Sequence, residues 1–313
     1  MTVGDTVTES PARLDRFVSR EELAACLARS DWKASGVLAL NYAIIAGAFA
    51  LAILWPNPLT ILVSVAVLGG RQLGLEVLNH DCAHSVFFRR RRVNELVGHW
   101  LCGGPMNTSL YRYRDYHLGH HRFAGTPQDP DLGIASAYPA TPDSLRRKLT
   151  RDLTGRTGLR DTWRQLRRLR PRRNAPFLVS HAVLLGALTL AGAPWAYLLW
   201  WAAYLFVYPF VTRLRFMSEH GVARDRLAAD PRINTCSTLV SWWERLLVAP
   251  NRVNYHVEHH LQAGVPLYNL PRFHRLLKKR GYFDGFDCLS RGYRDVLRRA
   301  TRHTGAEAPP AAA

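Results

Sequence analysis

Eight of the 13 histidines in this chain fall in three clusters whose spacing suits metal binding. On a helix, side chains at positions i, i+3 and i+4 share one face, so each cluster can direct its imidazoles at one point. A zinc ion takes three or four protein ligands, which is too few to use all eight, whereas two adjacent metal ions would use them. Imidazole binds iron, copper, zinc and nickel, so residue type alone does not identify the metal. The clusters are His80 and His84, then His117, His120 and His121, and finally His256, His259 and His260.

A lone histidine on an apolar face is usually a satisfied core residue, but three spaced clusters argue against that interpretation here. The three boxes, His-x3-His followed by two copies of His-x2-His-His, resemble those of the integral-membrane fatty acid desaturase and hydroxylase superfamily. The segment 254–274, in which VPLYNLP follows the last box, resembles the bacterial acyl-lipid desaturase branch. The resemblance covers roughly residues 37–283. It implies an all-α integral membrane protein with four transmembrane helices and a cytoplasmic, histidine-rich helical cap.

The resemblance also implies a cofactor and a reaction. Members of the superfamily carry two iron ions that use dioxygen, as co-substrate, and two external electrons to remove hydrogen from an unactivated methylene. We favour desaturation of an acyl chain, because the last box and its sequel resemble desaturases most; a hydroxylase or ketolase of a lipid or carotenoid-like substrate is the alternative. A non-enzymatic membrane protein that binds metal or haem is a further alternative, although haem needs one or two axial ligands. No His-Glu-x-x-His metalloprotease motif occurs.

A ninth histidine, His220, belongs to no box, and the resemblance implies that it is also a metal ligand. It lies nine residues beyond Val211, or roughly 13 Å along a continuing helix, so the last span would carry it into the cap. Some animal relatives place a water-binding Asn one turn earlier, where this chain has Phe216. Structural or solvated roles are expected for the remaining four histidines, which are His99, His181, His274 and His303.

Acidic side chains near the boxes are candidates to orient the imidazoles. A metal-bound histidine usually donates its second N–H to a carboxylate or carbonyl. Glu76 lies one helical turn before His80 and could serve in this way, or could pair with a neighbouring arginine. The other acidic residues that are close enough in sequence are Asp81, Asp115, Asp129, Asp131, Glu219 and Glu258.

Four apolar segments predict the helices that position these residues: 36–55, 59–80, 177–191 and 194–213. The second segment contains Arg71, Gln72 and Glu76, which indicates a face buried in protein. The last segment is rich in Trp and Tyr, as expected of interfacial anchoring and packing. We expect the whole chain, 1–313, to form a single membrane domain of the fatty acid desaturase type.

The charge distribution predicts the orientation. Residues 89–173 contain 19 Lys plus Arg against 7 Asp plus Glu, a net charge of +12, whereas the connections 56–58 and 191–194 carry no charge. The positive-inside rule therefore assigns 1–35, 85–175 and 214–313 to the cytoplasm, which places all three boxes on one side. The predicted location is a bacterial inner membrane, crossed several times, with a cytoplasmic active site.

The strongly basic composition, a net charge of +18, fits either nucleic acid or an anionic membrane surface, and the apolar blocks favour the membrane. Five scattered cysteines without a CxxC pair predict reduced thiols. We expect a disordered start, 1–11, and tail, 304–313. Ser19 predicts a capped helix over 19–30 that lies on the membrane or packs on the catalytic part. A basic surface helix is predicted over 144–173, with breaks at Gly155 and Gly158.

The chain contains no His-Pro-Gly-Gly haem module, no Cys-rich iron–sulfur segment and no Gly-x-Gly-x-x-Gly fingerprint. Electrons are therefore expected from a separate ferredoxin-, rubredoxin- or cytochrome-type protein. Such donors are often acidic, which would suit the basic cytoplasmic face. The other expected partners are the membrane and a lipid or acyl substrate, and no nucleic acid is expected.

Overall fold

The structure, a computed structural model, describes residues 14–301 and is almost entirely helical in that range. The expected disordered ends, 1–11 and 304–313, and His303 lie outside the described residues. A two-stranded parallel sheet pairs Ser237–Thr238 with Leu289–Ser290. The helices, in chain order, are Leu14–Arg16, Arg20–Leu27, Asp31–Leu54, Pro58–Ala83, Arg91–Leu96, Val97–Cys102, Gly104–Met106, Leu110–Phe123, Leu132–Ala135, Pro142–Leu153, Arg156–Leu166, Ala175–Leu190, Pro194–Gly221, Pro231–Asn234, Trp242–Leu247, Pro250–Arg252, His256–Leu261, Leu270–Lys279 and Gly292–Arg299.

Three of the described helices are long and apolar enough to cross a membrane. We call Asp31–Leu54 the first long helix, Pro58–Ala83 the second and Pro194–Gly221 the third. They match three of the four predicted spans. The third continues eight residues beyond the predicted end at 213, through a π-helical turn at Met217–Gly221.

The remaining predicted span, 177–191, corresponds to the helix Ala175–Leu190. It has 16 residues, a length of about 24 Å, which is shorter than the roughly 30 Å hydrocarbon core of a bilayer. Its outer face is nevertheless apolar and exposed: the exposed fraction is 65% for Val183 and 92% for Leu190. A fourth crossing at this helix therefore stays a prediction.

The second long helix is the centre of the bundle. Asn57 caps it by accepting hydrogen bonds from the backbone N–H groups of Leu59 and Thr60, and Pro58 supplies a fixed φ at its first turn. The helix packs against both of the other long helices. It also packs against the two shorter helices Leu110–Phe123 and Trp242–Leu247. Nearly all of its residues from Leu68 onward are buried.

Arg71 and Gln72 of this helix bond to protein, as the sequence predicts. The guanidinium of Arg71 donates to the carbonyls of Arg245 and Leu246. The Gln72 amide donates to the Trp200 carbonyl at 2.9 Å. The helix Trp242–Leu247 can approach this closely only because residue 70 is small: a Cβ at Gly70 would lie 2.6 Å from the Leu247 carbonyl oxygen.

The predicted N-terminal helix is present at Arg20–Leu27, with the Ser19 and Glu22 side chains forming a capping box. It packs on Leu270–Lys279. The Asn269 amide donates to the carbonyls of Cys26 and Ala28, both at 2.9 Å. These contacts favour packing on the catalytic part over lying free on the membrane.

The predicted basic helix over 144–173 is two helices, Pro142–Leu153 and Arg156–Leu166. The break at Gly155 is confirmed, since its φ of +76° is a left-handed conformation that favours glycine. The break predicted at Gly158 is wrong. Gly158 is buried inside the second helix, where a Cβ would lie 2.4 Å from the Leu205 carbonyl oxygen, so its small size serves helix packing.

All five cysteines are buried and free, as predicted from their number and spacing: Cys26, Cys82, Cys102, Cys236 and Cys288.

Candidate metal centre

Four helices bring the candidate ligands together. The second long helix ends in His80 and His84, with His84 as its C-cap. The box helix, Leu110–Phe123, presents the second cluster on one face, and the last-box helix, His256–Leu261, presents the third. His220 lies in the π-helical turn that ends the third long helix. Such turns are frequent at functional sites, because they re-aim a side chain within a helix.

The nine histidines form two adjoining groups, and within each group the ligand atoms lie within 4.8 Å of one another. Adjacent residues of the second box divide between them, with His120 in one group and His121 in the other. The rings of these two histidines are 5.6 Å apart. The first group is His80, His84, His117, His121 and His259, and the second is His120, His220, His256 and His260.

Within each group, Nε2 atoms face one another. His121 Nε2 lies 3.0 Å from His117 Nε2 and 2.9 Å from His259 Nε2. In the second group, His220 Nε2 lies 2.8 Å from His256 Nε2. A hydrogen bond uses one lone pair and one N–H, so it cannot satisfy three convergent nitrogens at once, whereas a shared metal ion can.

Two further atoms fit this interpretation. His80 Nε2 and His84 Nε2 are buried and have no hydrogen-bond partner among the described residues. Buried nitrogens without partners are costly unless something binds them. The donor set of these residues therefore fits metal ions bound by imidazole.

Carboxylates hold the outer nitrogens of several histidines. Asp81 Oδ1 lies 3.3 Å from His80 Nδ1, and its other oxygen accepts from the Leu267 N–H at 2.8 Å. His120 Nδ1 lies 2.7 Å from Asp129 and 3.6 Å from Asp131. A carboxylate on Nδ1 fixes the tautomer and directs the Nε2 lone pair inward.

Glu219 is placed similarly, with an oxygen 3.7 Å from His256 Nδ1. The same oxygen accepts from the Arg215 guanidinium at 2.7 Å, which fixes the carboxylate and neutralises its charge. Phe216, one turn before His220, lies with its ring 5.9 Å from the imidazole ring of His220.

Three acidic residues predicted to orient ligands lie elsewhere, and these placements correct the expectation. Glu76 accepts from the Thr108 hydroxyl at 2.6 Å and bonds neither a clustered histidine nor an arginine among the described residues. Glu258 is hydrogen-bonded to His274 and accepts from Ser237. Asp115 is exposed on the box helix. Proximity in sequence to a ligand did not predict which group each carboxylate bonds.

The buried setting favours neutral imidazoles. Burial lowers the pKa of His84 to about 4, to which the Arg114 guanidinium adds, and burial lowers the pKa of His121 to about 2, to which the adjacent histidines add. It also holds the pKa values of His117, His256, His259 and His260 well below the ordinary value. Burial opposes ionisation of Asp129, but the bonds from His120 and from the Asp131 N–H, with the nearby histidines, together outweigh burial and bring the pKa of that carboxyl below its usual range. At neutral pH the lone pairs are therefore available to a metal.

Sequence reasoning missed two supporting residues. Arg114 donates to the carbonyls of Ala83 and Cys82, so it ties the box helix to the end of the second long helix. Tyr113 stacks on His117 with ring centroids 5.3 Å apart. Tyr113 and Arg114 both lie one helical turn before His117, and this spacing is the sequence signal that could have identified them.

A structural role was expected for His274, and it is buried and bonded to Glu258, on the outer face of the last-box helix.

A family model for fatty acid desaturases matches residues 53–288, which is more than half of the chain. All nine clustered histidines lie inside this segment.

Similar proteins include an sn-1 oleoyl-lipid 12-desaturase from Synechocystis, 26% identical over 66% of this chain and 65% of that protein. The chain thus spans just under two thirds of this relative. A dihydrorhizobitoxine desaturase from Bradyrhizobium elkanii is 26% identical over 78% of this chain and 75% of its own length. A beta-carotene ketolase from a Paracoccus species is 29% identical over 69% of this chain and 80% of its own.

Proposed function

Since this chain belongs to the fatty acid desaturase family, a family of oxidoreductases, we propose that it is a membrane-bound di-iron oxidase that desaturates an acyl chain. The observation that carries the proposal is the pair of adjoining groups of five and four histidines. One such group would suffice for a single metal ion, so two groups support a two-metal centre.

The five-histidine group would hold one iron and the four-histidine group the other. Imidazole alone does not select iron, so the identity of the metal rests on family membership. When bound, the two ions would supply the activation of dioxygen with two external electrons. Asp81, Asp129 and Glu219 would keep the imidazoles in the tautomer that a metal needs.

The chain itself would position the substrate. The bundle of long helices offers an apolar interior for an acyl chain, next to the ends that bear the histidines. Six of the nine clustered histidines are buried, which limits the access of bulk water and would protect a reactive site from side reactions.

The proposed membrane arrangement has four spans, near 36–55, 59–80, 177–191 and 194–213, with 1–35, 85–175 and 214–313 in the cytoplasm. One geometric argument supports the fourth crossing. His84 ends the second long helix and His220 ends the third, yet their groups adjoin. The chain between them must return to the opposite end of the bundle before Pro194, and the apolar helix Ala175–Leu190 lies in that connection.

Exposed tryptophans support the same arrangement. Trp32 and Trp55 flank the first long helix and are 87% and 61% exposed. Tryptophan is enriched at both membrane–water interfaces, so these side chains suit the two headgroup layers. The basic cytoplasmic segments suit a bacterial inner membrane with its active site inside.

Ketolation or hydroxylation is the second candidate reaction, and the similarity to a beta-carotene ketolase supports it. Desaturation and oxygenation share the first hydrogen removal and differ in whether a second hydrogen or an oxygen atom is transferred. A further relative is named for dihydrorhizobitoxine, so membership of the family leaves the substrate open.

A separate electron donor, of ferredoxin, rubredoxin or cytochrome type, would complete the system. A basic groove on the surface supports an acidic donor, because complementary charge speeds association. It is lined by Arg146, Arg147, Lys148, Arg151 and Arg156.

The decisive test is expression in a host of simple lipid composition, followed by mass spectrometry of its lipids. Desaturation predicts a dioxygen-dependent loss of two hydrogens, and ketolation or hydroxylation predicts a gain of oxygen. The His84→Ala variant is the matched control and should give neither product. A protein that binds less than one iron per chain and gives no product from any lipid would contradict the proposal.

A further inference from the structure

A cleft of about 290 Å³ lies beside the box helix. Its outer part carries the exposed side chains of Arg112 and Arg173. Its inner part is lined by Gly103, Thr108 and Tyr113. Tyr113 stacks on His117, with ring centroids 5.3 Å apart and the rings almost parallel. The Tyr113 ring therefore lies between the inner end of the cleft and His117, a candidate metal ligand.

Glu76 lies at this inner end. It accepts a hydrogen bond from the Thr108 hydroxyl at 2.6 Å. From Leu68 to Ala83, every residue of the second long helix is buried except Glu76. Its bonded partner Thr108 lines the cleft, so the Glu76 carboxylate lies beside the cleft. It stands one turn before His80, about 6 Å along the helix axis.

Asn79 is a second polar group at the same place. It is fully buried. Its amide nitrogen interacts with the Glu76 carboxylate, whereas its amide oxygen has no hydrogen-bond partner among the described residues. That oxygen would lie 3.2 Å from a Cβ at Gly103, which lines the cleft. A buried amide oxygen without a donor is rare and calls for a group that binds it.

The protein itself leaves Glu76 with spare hydrogen-bonding capacity. Arg215 attracts the Glu76 carboxylate electrostatically, but its guanidinium is bonded to Glu219 at 2.7 Å. Thr108 uses one of the lone pairs that a carboxylate offers. An uninterrupted acyl chain in the cleft would leave the Asn79 oxygen without a donor and the Glu76 carboxylate with unused lone pairs, which is unfavourable in a water-poor site.

We propose that Glu76, Asn79 and Thr108 bind a hydroxyl or amino group that the substrate carries close to the carbon that is oxidised. The inference rests on the proposed function and narrows its substrate class: an acyl chain with a hydrogen-bond donor beside the reacting methylene, in place of a plain chain. A site built to bond such a group discriminates strongly against an analogue that lacks it, because the polar groups of the site are then left unpaired.

The test is a competition between matched chains in cells that express the full-length protein with an electron donor. The probes are octadecanoic acid and its monohydroxy and monoamino positional isomers, supplied in pairs and followed by mass spectrometry. For at least one hydroxy or amino isomer, the relative kcat/KM of the wild type should exceed that for the plain chain by about tenfold or more. In Glu76→Leu, this ratio should fall to about twofold or less, because the apolar side chain favours the plain chain.

Two further variants separate binding from folding. Thr108→Val removes one hydroxyl and should lower the same ratio, without loss of iron per chain. Ser64→Ala is the control: it lies on the same helix, is fully buried and has an unpartnered hydroxyl, but it is three turns from Glu76. The Ser64→Ala protein should prefer the substituted chain over the plain chain by the same ratio as the wild type.

Oxidation of the plain chain with no preference, or a preference that Glu76→Leu and Thr108→Val leave unchanged, would overturn the inference while the proposed function stands. A wild-type protein that oxidises none of the probes, and no host lipid, in the presence of dioxygen would overturn both.

Discussion

The Nδ1 atom of His120 lies 2.7 Å from a carboxylate oxygen of Asp129. The backbone N–H of Asp131 donates to the same Asp129 oxygen at 2.8 Å, so the loop fixes the carboxylate before any metal binds. With Nδ1 held outward, His120 Nε2 faces His260 Nε2 at 3.3 Å. The loop after the box helix is therefore part of the candidate metal centre.

Replacement of Asp129 tests this relationship. The Asp129→Ala protein should bind iron 10- to 100-fold more weakly, because the His120 ring loses the partner that fixes its tautomer. Competition with a chelator measures the change. Asp143→Ala, an exposed acidic residue, is the control and should bind iron as the wild type does. Equal chelator resistance in the two variants would remove Asp129 from the centre.

The nine clustered histidines should all be needed for turnover. One variant from each group, His84→Ala and His260→Ala, should lose dioxygen-dependent product and bound iron while remaining in the membrane. A lost imidazole opens a metal position and removes little apolar burial. His181→Gln is the control, because an amide can keep the bonds that His181 makes to Tyr197 and Pro105. Ordinary activity in both ligand variants would contradict the two-metal assignment.

Much of the centre was predictable from spacing, because periodicity determines which side chains share a helix face. The three boxes lie on helices, and His220 lies at the end of a helix that continues past Val211, as expected. Spacing does not predict which histidines share a metal. His120 and His121 point about 100° apart on the helix, so their assignment to different groups depends on the packing of the other helices.

The acidic partners show the same limit. Asp81 and Asp129 contact histidines as expected. Glu258 lies two residues from His256 and two from His260, and residues two apart on a helix do not face each other. Its carboxylate therefore points outward to His274. Glu76 does share a helix face with His80, but Thr108, from a distant segment, takes its hydrogen bond.

The membrane topology can be tested with reporter tags. Tags inserted at residues 57 and 193 should map outside the cell, and tags at both termini inside, because the flanking segments are strongly basic. Only four spans give this pattern. If Ala175–Leu190 did not cross, the tag at residue 193 and the C-terminal tag would both map differently. A cytoplasmic signal from the tag at residue 57 would contradict the arrangement altogether.

His220 and His274 are both buried histidines near the last box, but their partners differ, and so should the effects of replacing them. His220 Nε2 faces His256 Nε2 at 2.8 Å, so His220→Ala should lower bound iron and activity while the apoprotein unfolds at the wild-type temperature. His274 bonds only the outward carboxylate of Glu258 among the described residues. His274→Ala leaves that buried carboxylate short of a donor, at a cost of about 1–3 kcal/mol, so it should lower the unfolding temperature with little change in iron per folded chain. Iron analysis and thermal unfolding of the two purified variants separate these effects. Full iron occupancy in His220→Ala would show that the ninth ligand is elsewhere or absent.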